Sequence, residues 1–231
     1  MPFDPFGDYE QRGYLRNKFS EKDMSIVKKL EHDFFEANIG TTLKMLTEAT
    51  SLDYETFKKT HENIFLDLYP WAGKDRLECC PEKTVKKGGI VFANPEDIED
   101  IFNESLREAE LGNLVGGIAL SHPFLDGNGR TMALFISEHQ RRNKKIIEWQ
   151  KIPKKEYLVT LGEAINGNSV PLDKLLNKHV KKRLTKPNEK IIIDSFLYVN
   201  WSERRQNDDK KEQNGGLLKT IKNKIKGKFN P

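Results

Sequence analysis

The stretch HPFLDGNGR, residues 122–130, decides the fold and the chemistry expected of this chain. Its glycines Gly127 and Gly129 supply backbone freedom, including positive φ, so that consecutive N–H groups can converge on one anion. A helix beginning near Gly129 adds unpaired amides and the positive end of its dipole. The stretch therefore predicts a phosphate-binding loop at the start of a helix.

The charged and titratable side chains of this stretch complete a predicted transfer site. Arg130 can hold a phosphate with its planar fork, while Asp126 would repel a bare phosphate unless a cation such as Mg²⁺ lies between them. His122 titrates near neutral pH, which suits it to take a proton from a hydroxyl that attacks phosphorus. We therefore expect a site for a metal-nucleotide with a base beside it.

The stretch resembles the signature of the Fic family, His-x-Phe-x-[Asp/Glu]-Gly-Asn-Gly-Arg-x-x-Arg, at every fixed position except the last, which is Ala133. Such a long and chemically mixed signature is more specific than a lone glycine motif. HENIFLDLYPWAGKDR (residues 61–76) and KKGGIVFANP (residues 86–95) are similar to the family's segment before the flap and to the flap itself. The resemblance covers roughly residues 10–183.

The resemblance implies a protein adenylyltransferase that moves AMP from ATP to a protein hydroxyl and releases pyrophosphate. His122 would be the general base, Phe124 an apolar anchor for the loop, and Asp126 the ligand of Mg²⁺ on the α and β phosphates. The Asn128 side chain would lie near the α-phosphate, and Arg130 would bind the β-phosphate. The implied phosphate-binding residues are Asp126, Gly127, Asn128, Gly129 and Arg130.

Because Ala133 departs from the signature, the sequence does not show which residue would bind the γ-phosphate. Most family members have an arginine there, and a charged contact is worth about 1.5–3 kcal/mol. Two alternatives therefore remain: a Fic-derived binding module with weak or no catalysis, and transfer of a phosphate or another nucleotidyl group from an altered donor orientation. The family's inhibitory pattern, [Ser/Thr]-x-x-x-Glu-[Gly/Asn], does not occur in the sequence. Either a separate small inhibitor protein controls the activity of the chain, or inhibition of this activity was lost.

Residues 83–93 are predicted to form the flap, a β-hairpin around a glycine pair. The exposed edge of such a hairpin can pair with an extended segment of a target protein. Beside the motif we favour target docking over an ordinary surface hairpin. The expected target is a small GTPase or another host protein, or a bacterial protein. The residues assigned to docking are Lys86, Lys87, Gly88, Gly89, Ile90, Val91 and Phe92.

Helical patterns dominate the rest of the sequence and predict a mainly α, Fic-fold bundle. Ser20 is expected to begin a helix that ends near Gly40, and Asp53 to begin a second. Asn94 and Pro95 are expected to start a third helix that extends towards Leu111. Further helices are predicted over residues 114–120, after the motif, around residues 158–165 and over residues 171–179.

We expect two parts in the chain. Residues 1–185 form the Fic domain, with a core over about residues 50–183, and residues 186–231 form a C-terminal extension. The extension contains a β-rich segment at residues 191–201 and a basic amphipathic tail at residues 217–231, whose partner is either an anionic membrane or solvent. The five lysines of this tail exceed the net charge of +4, so the body gives no charge argument for nucleic-acid binding.

Composition limits the cellular location and the kinds of metal or disulfide site that the sequence can support. A mean hydropathy of −0.69 without a long apolar run argues against a membrane span, and the N-terminus lacks the regions of a secretory signal. We expect a cytoplasmic protein, or one delivered into a host cell without an N-terminal signal peptide. The adjacent Cys79 and Cys80 support neither a disulfide framework nor a zinc site. The histidines expected to be interior or surface residues rather than metal ligands are His32, His61, His139 and His179.

Overall fold

The chain folds mainly into α-helices, as the sequence predicts. The computed structural model describes residues 4–182. Over this part of the chain the helices are α1 (Tyr9–Arg12), α2 (Met24–Glu48), α3 (Tyr54–Phe65), α4 (Arg76–Cys79), α5 (Ile98–Ser105), α6 (Leu111–Ser121), α7 (Asn128–Arg142), α8 (Lys154–Ile165) and α9 (Val170–Lys178). None of the described helices is both long and apolar enough to cross a bilayer.

Aspartates cap the starts of α2 and α3. Asp23 before α2 and Asp53 before α3 each accept a hydrogen bond from an amide of the first turn. The start at Asp53 is as predicted, but the predicted start at Ser20 is wrong, because its φ of 53° lies outside the right-handed helical region. The predicted end near Gly40 is also wrong, since α2 continues to Glu48. Packing of α2 against α3 outweighs the cost of one helical glycine, about 1 kcal/mol.

The third predicted helix is shorter than expected. Pro95 opens a 3₁₀ turn, and α5 begins only at Ile98. The Asn94 side chain donates a hydrogen bond to the Asp97 carboxylate at 3.2 Å instead of capping a helix amide. After Ser105 the chain tightens into i→i+3 hydrogen bonds, which ends the α-helix before Leu111.

The central helix of the bundle is α6, which packs against α5, α7, α8 and α9. Its side chains Leu114, Val115 and Ile118 are at most 2% exposed. The helix approaches α8 closely, because a Cβ on Gly116 would lie only 2.9 Å from the Cβ of Ala164. Since α6 ends directly before the motif, the bundle core fixes where the motif loop begins.

Within residues 4–182, two small antiparallel strand pairs accompany the helices. In the predicted hairpin, β1 (Lys86–Lys87) pairs with β2 (Ile90–Val91). Gly88 and Gly89 connect them with φ values of 58° and 82°, the positive pair that a type I′ turn requires. A second pairing, between β3 (Lys145–Ile147) and β4 (Val180–Lys182), was not predicted. The predicted β segment at residues 191–201 and the basic tail at residues 217–231 lie outside the described residues.

Candidate active site

The motif loop connects the end of α6 to the start of α7. His122 directly follows α6 and has a left-handed backbone conformation, with φ 41° and ψ 58°. This region is uncommon for a residue with a side chain and persists only when surrounding contacts fix it. The contacts that fix it come from Arg76.

Arg76 is fully buried and binds three backbone carbonyls around the histidine. Its Nε donates to the carbonyl of His122 at 2.8 Å, and Nη2 donates to those of Ala93 at 2.7 Å and Ser121 at 3.2 Å. The amide of Arg76 also donates to the carbonyl of Pro123 at 2.7 Å. One guanidinium therefore connects the backbone of Ser121 at the end of α6, of His122, and of Ala93 at the base of the flap.

The His122 side chain lies against the base of the flap. Its ring stacks on that of Phe92 with centroids 3.8 Å apart and an interplanar angle of 18°. Burial, together with the nearby cations of Arg76 and Lys87, lowers the pKa of His122 to about 3. The imidazole is therefore neutral at neutral pH and has a ring nitrogen able to accept a proton.

Phe124 anchors the loop on the core, and a second histidine lies against it. Phe124 is fully buried and stacks on His61 with centroids 3.8 Å apart. The amide of Gly73 donates to His61 Nδ1 at 2.9 Å, so the ring hydrogen is on Nε2, which donates to the carbonyl of Asp126 at 3.0 Å. Burial lowers the pKa of His61 to about 3, which keeps this arrangement neutral. His61 is thus an interior residue, and it braces the motif.

The residues of the predicted anion cradle lie at the start of α7. Gly127 is the N-cap residue with φ 82°, and α7 begins at Asn128. The Asn128 side chain is engaged on both sides with the backbone of Phe124: Oδ1 accepts from the amide at 2.9 Å and Nδ2 donates to the carbonyl at 2.6 Å. This side chain therefore braces the loop, and its approach to a phosphate stays a prediction. The backbone amides of the first turn, including that of Gly129, have no intrahelical acceptor and suit an anion.

Asp126 is the exposed carboxylate of the loop. Its Oδ1 accepts a hydrogen bond from the amide of Gly127 at 2.6 Å and lies 3.7 Å from Nη2 of Arg130. Within residues 4–182 there is no group of three or more His, Cys, Asp or Glu side chains arranged to hold a metal ion. One exposed carboxylate suits Mg²⁺, which typically keeps waters and binds the phosphates of a nucleotide together with one or two carboxylates.

Arg130 lies on the first turn of α7 and is mostly buried. Its Cζ is 4.7 Å from the centre of the Phe65 ring, and its Nη2 donates to Oε2 of Glu31 at 3.1 Å. Its Nη1 is buried without a hydrogen-bond partner. Ala133, one turn later, packs against the hydrophobic core. The described site thus has one motif arginine with a free donor where the family signature has two arginines.

The flap hairpin lies beside this site. The amide of Ala93 donates to the carbonyl of Leu120 at 3.0 Å, which ties the base of the flap to the end of α6. The strands themselves are largely exposed, with Val91 52% exposed. Phe92 differs from the other residues assigned to docking, because it is buried against His122 and supports that ring.

Sequence reasoning identified the motif but missed its supports. Arg76 and His61 lie in the stretch HENIFLDLYPWAGKDR. The similarity of this stretch to the family's segment before the flap could have pointed to them. Glu31 lies on α2, outside the quoted stretches. No local pattern points from Glu31 to the loop, because the contact joins residues far apart in sequence.

The described residues form a helical bundle whose central helix, α6, ends in the motif loop beside a β-hairpin. Residues 51–139 match the model of the Fic/DOC family, the family whose signature residues 122–130 resemble.

The relatives of the chain carry adenylyltransferase names. It is 29% identical over 194 residues to protein adenylyltransferase VbhT of Bartonella schoenbuchensis, covering 77% of this chain and 39% of that protein. It is 24% identical over 170 residues to probable protein adenylyltransferase y4lH of Sinorhizobium fredii, covering 68% of this chain and 86% of that protein. The chain thus spans about two fifths of the length of VbhT.

Solved structures share the fold. The BepC protein of Bartonella tribocorum, a VirB-translocated effector with bound AMPPNP, has a TM-score of 0.62 at 18% identity, covering 79% of this chain and all of that one. The N-terminal Fic domain of a putative cell filamentation protein of Bartonella quintana, with bound ADP, has a TM-score of 0.64 at 18% identity, covering 76% of this chain and 94% of that one. At this identity the similarity shows the fold.

Proposed function

We propose that this chain is a protein adenylyltransferase that transfers AMP from ATP to a hydroxyl side chain of a target protein. The observation that carries the proposal is a neutral His122, held in a left-handed conformation at the end of α6, in the same loop that leads to a helix N-terminus with free amides. A proton acceptor and an anion cradle within one loop are what attack of a hydroxyl on a phosphate requires.

In the proposed reaction the target hydroxyl oxygen forms a bond to the α-phosphorus, and the bond from that phosphorus to the oxygen bridging to the β-phosphate breaks. Pyrophosphate leaves with the bonding electrons, and His122 accepts the hydroxyl proton. The anionic phosphates of a bound nucleotide raise the pKa of His122 from the low value that burial sets, which makes it a stronger base in the complex. Transfer of this kind depends mainly on positioning and charge stabilisation.

Different loop residues would bind different phosphates of the nucleotide. The first-turn amides at Asn128 and Gly129 bind the α-phosphate, and Arg130 binds the β-phosphate through its free Nη1. Asp126 would hold Mg²⁺, whose charge offsets that of the phosphates. The names of VbhT and y4lH support the reaction, and AMPPNP and ADP in the structures from Bartonella support the nucleotide.

The flap is proposed as the docking site for the target. Residues 86–91 expose strand edges beside His122, which suits main-chain pairing with an extended target segment. The target is a small GTPase or another host protein in the effector setting, and a bacterial protein in the toxin setting. The translocated effectors among the structural relatives support the first setting, whose route of delivery would be type IV secretion.

Labelled ATP tests the proposal. The full chain is incubated with a bacterial or host-cell lysate and ATP that carries label at the α or the γ position. We expect protein labelling from the α position alone. Label from the γ position alone would replace AMP transfer with phosphate transfer. The absence of label from both positions, together with absence of ATP binding, would favour a binding module.

A further inference from the structure

A buried carboxylate from outside the motif holds the guanidinium of Arg130. Glu31, in the first half of α2, is 7% exposed, and its Oε2 accepts a hydrogen bond from Arg130 Nη2 at 3.1 Å. We infer that Glu31 is a positioning residue that orients Arg130 towards the β-phosphate of the nucleotide. This inference rests on the proposed function for the identity of the ligand.

The carboxylate of Glu31 is itself fixed from its other side. The hydroxyl of Tyr69 donates to Oε1 at 2.5 Å, so both oxygens of Glu31 are engaged. Tyr69 is 2% exposed and stacks on Trp71 with centroids 4.3 Å apart. The rotamer of Glu31 is therefore set by buried aromatic side chains of the segment that follows α3.

The remaining contacts of Arg130 engage the face of its guanidinium and one of its two terminal nitrogens. The face of its guanidinium lies over Phe65, Nη2 points to Glu31, and Asp126 lies 3.7 Å from the same nitrogen. Nη1 is buried and has no hydrogen-bond partner. A buried donor without an acceptor is costly, and a phosphate oxygen would satisfy it.

The chain depends on this one guanidinium more than a sequence with two motif arginines would. Arg130 is the sole arginine or lysine in residues 122–133, because Ala133 occupies the second arginine position. Glu31 binds Nη2 and leaves Nη1, so its bond is compatible with a simultaneous phosphate contact. Glu31 thus orients the arginine without occupying the donor that the ligand needs.

Binding of ADP and AMP to the full chain with Mg²⁺ tests this role by calorimetry, because only ADP has a β-phosphate. Glu31→Ala should weaken ADP binding by about tenfold or more and AMP binding by less than about threefold. Glu31→Gln keeps an acceptor for Arg130 and a partner for Tyr69, so ADP affinity should stay within about threefold of wild type. Glu36→Ala, exposed on the same helix, is the matched control and should change neither affinity.

A double-mutant cycle separates positioning from general loosening of the fold. In an Arg130→Ala background, Glu31→Ala should weaken ADP binding no further. If Glu31→Ala does not fold, Tyr69→Phe removes only the hydroxyl and should still weaken ADP binding by about threefold with AMP binding unchanged.

Several results would overturn the inference. Equal loss of ADP and AMP affinity would make Glu31 merely structural, and unchanged ADP affinity would remove its role. Tighter ADP binding by Glu31→Ala or Glu31→Gln would show that its charge competes with the phosphate. A wild-type chain that binds no ADP would overturn both this inference and the proposed nucleotide site. A wild-type chain that binds ADP with the predicted contrast but transfers no AMP would sink only the proposed function.

Discussion

At the scale of single residues, the motif loop is held by buried polar side chains from other segments. Arg76 binds backbone carbonyls around His122, His61 binds the carbonyl of Asp126, and Glu31 binds Arg130. Each contact fixes a group that the proposed chemistry uses. Substitutions at these supports should therefore affect stability and transfer together.

Replacing Arg76 tests the first support. Arg76→Lys keeps the charge but cannot reach three carbonyls with a planar fork, so at least one buried carbonyl loses its donor. We expect the free energy of unfolding, measured in urea, to fall by about 2–4 kcal/mol. The exposed Arg107→Lys is the control and should stay within about 0.5 kcal/mol of wild type. A similarly small change for Arg76→Lys would contradict the role assigned to it.

The neutral histidines predict a pH dependence of stability. Burial lowers the pKa of His61 and of His122 from 6.5 to about 3. Between these values the unfolded chain binds more protons than the folded chain, so the free energy of unfolding falls as pH falls. Each histidine contributes a loss of about 2 kcal/mol between pH 7 and pH 5.

Urea unfolding of wild type and His122→Asn at these two pH values checks the sign. Asparagine tolerates the left-handed conformation of this position, and it does not titrate. The variant should lose about 2 kcal/mol less than wild type between pH 7 and pH 5. Equal losses for the two proteins would mean that His122 titrates normally in the folded state.

At the scale of elements, the junction between the loop and α7 contains two glycines with different roles. Gly127 has φ 82°, and a Cβ there would collide with the ring of Phe65. A Cβ on Gly129 would meet no atom within 4 Å. Gly127 is therefore required by the fold, whereas Gly129 leaves open the space assigned to phosphate.

Alanine substitutions separate these roles. Gly127→Ala should lower the free energy of unfolding by about 2 kcal/mol or more. Gly129→Ala should leave it unchanged or raise it by up to about 1 kcal/mol, because alanine favours the helix, but should weaken ATP binding by about tenfold. Chemical denaturation and calorimetry measure the two quantities. Normal ATP affinity of a folded Gly129→Ala protein would count against the phosphate cradle.

The flap hairpin is a second element with a separable role. Its strands have two residues each, so the turn is a large part of its stability. Replacing Gly88 and Gly89 together by alanine places side chains at two positive φ values, at about 1 kcal/mol or more per residue. Transfer to lysate proteins should fall by about tenfold or more, while ATP affinity stays within about threefold.

The control for the flap variant carries backbone strain of the same kind at one position elsewhere. Gly167, after α8, has φ 94° and no neighbour within 4 Å of its position for a Cβ. Gly167→Ala should leave protein labelling unchanged. Full labelling by the flap variant would show that the hairpin does not position the target.

At the scale of the whole molecule, the sequence predicted the helical class, the motif and the hairpin. These follow from local signals: apolar periodicity, the glycine pair at Gly88 and the mixed chemistry of residues 122–130. The sequence did not predict the extent of α2, because its packing on α3 decides whether Gly40 interrupts it. It also missed the pairing of β3 with β4, whose partners lie more than thirty residues apart.

In the site, too, the features with a local sequence signal were predicted and the contacts between distant residues were not. His122 and Arg130 were predicted from residue type and spacing, and they lie within residues 51–139, which match the Fic/DOC family model. The partners of these residues were not predicted, because Arg76 and Glu31 reach the loop only through the packing of the helices. The buried position of Phe92 likewise depends on the stacking of its ring against His122.

The central claim is that this loop transfers AMP with His122 as the base, and His122→Asn tests it most directly. The measurement compares wild type and variant for transfer of α-labelled ATP to lysate proteins and for ATP affinity. Transfer should fall by about 100-fold or more, since a general base contributes at least that factor, while ATP affinity stays within about threefold. Transfer by the folded variant at a rate near that of wild type would contradict the account.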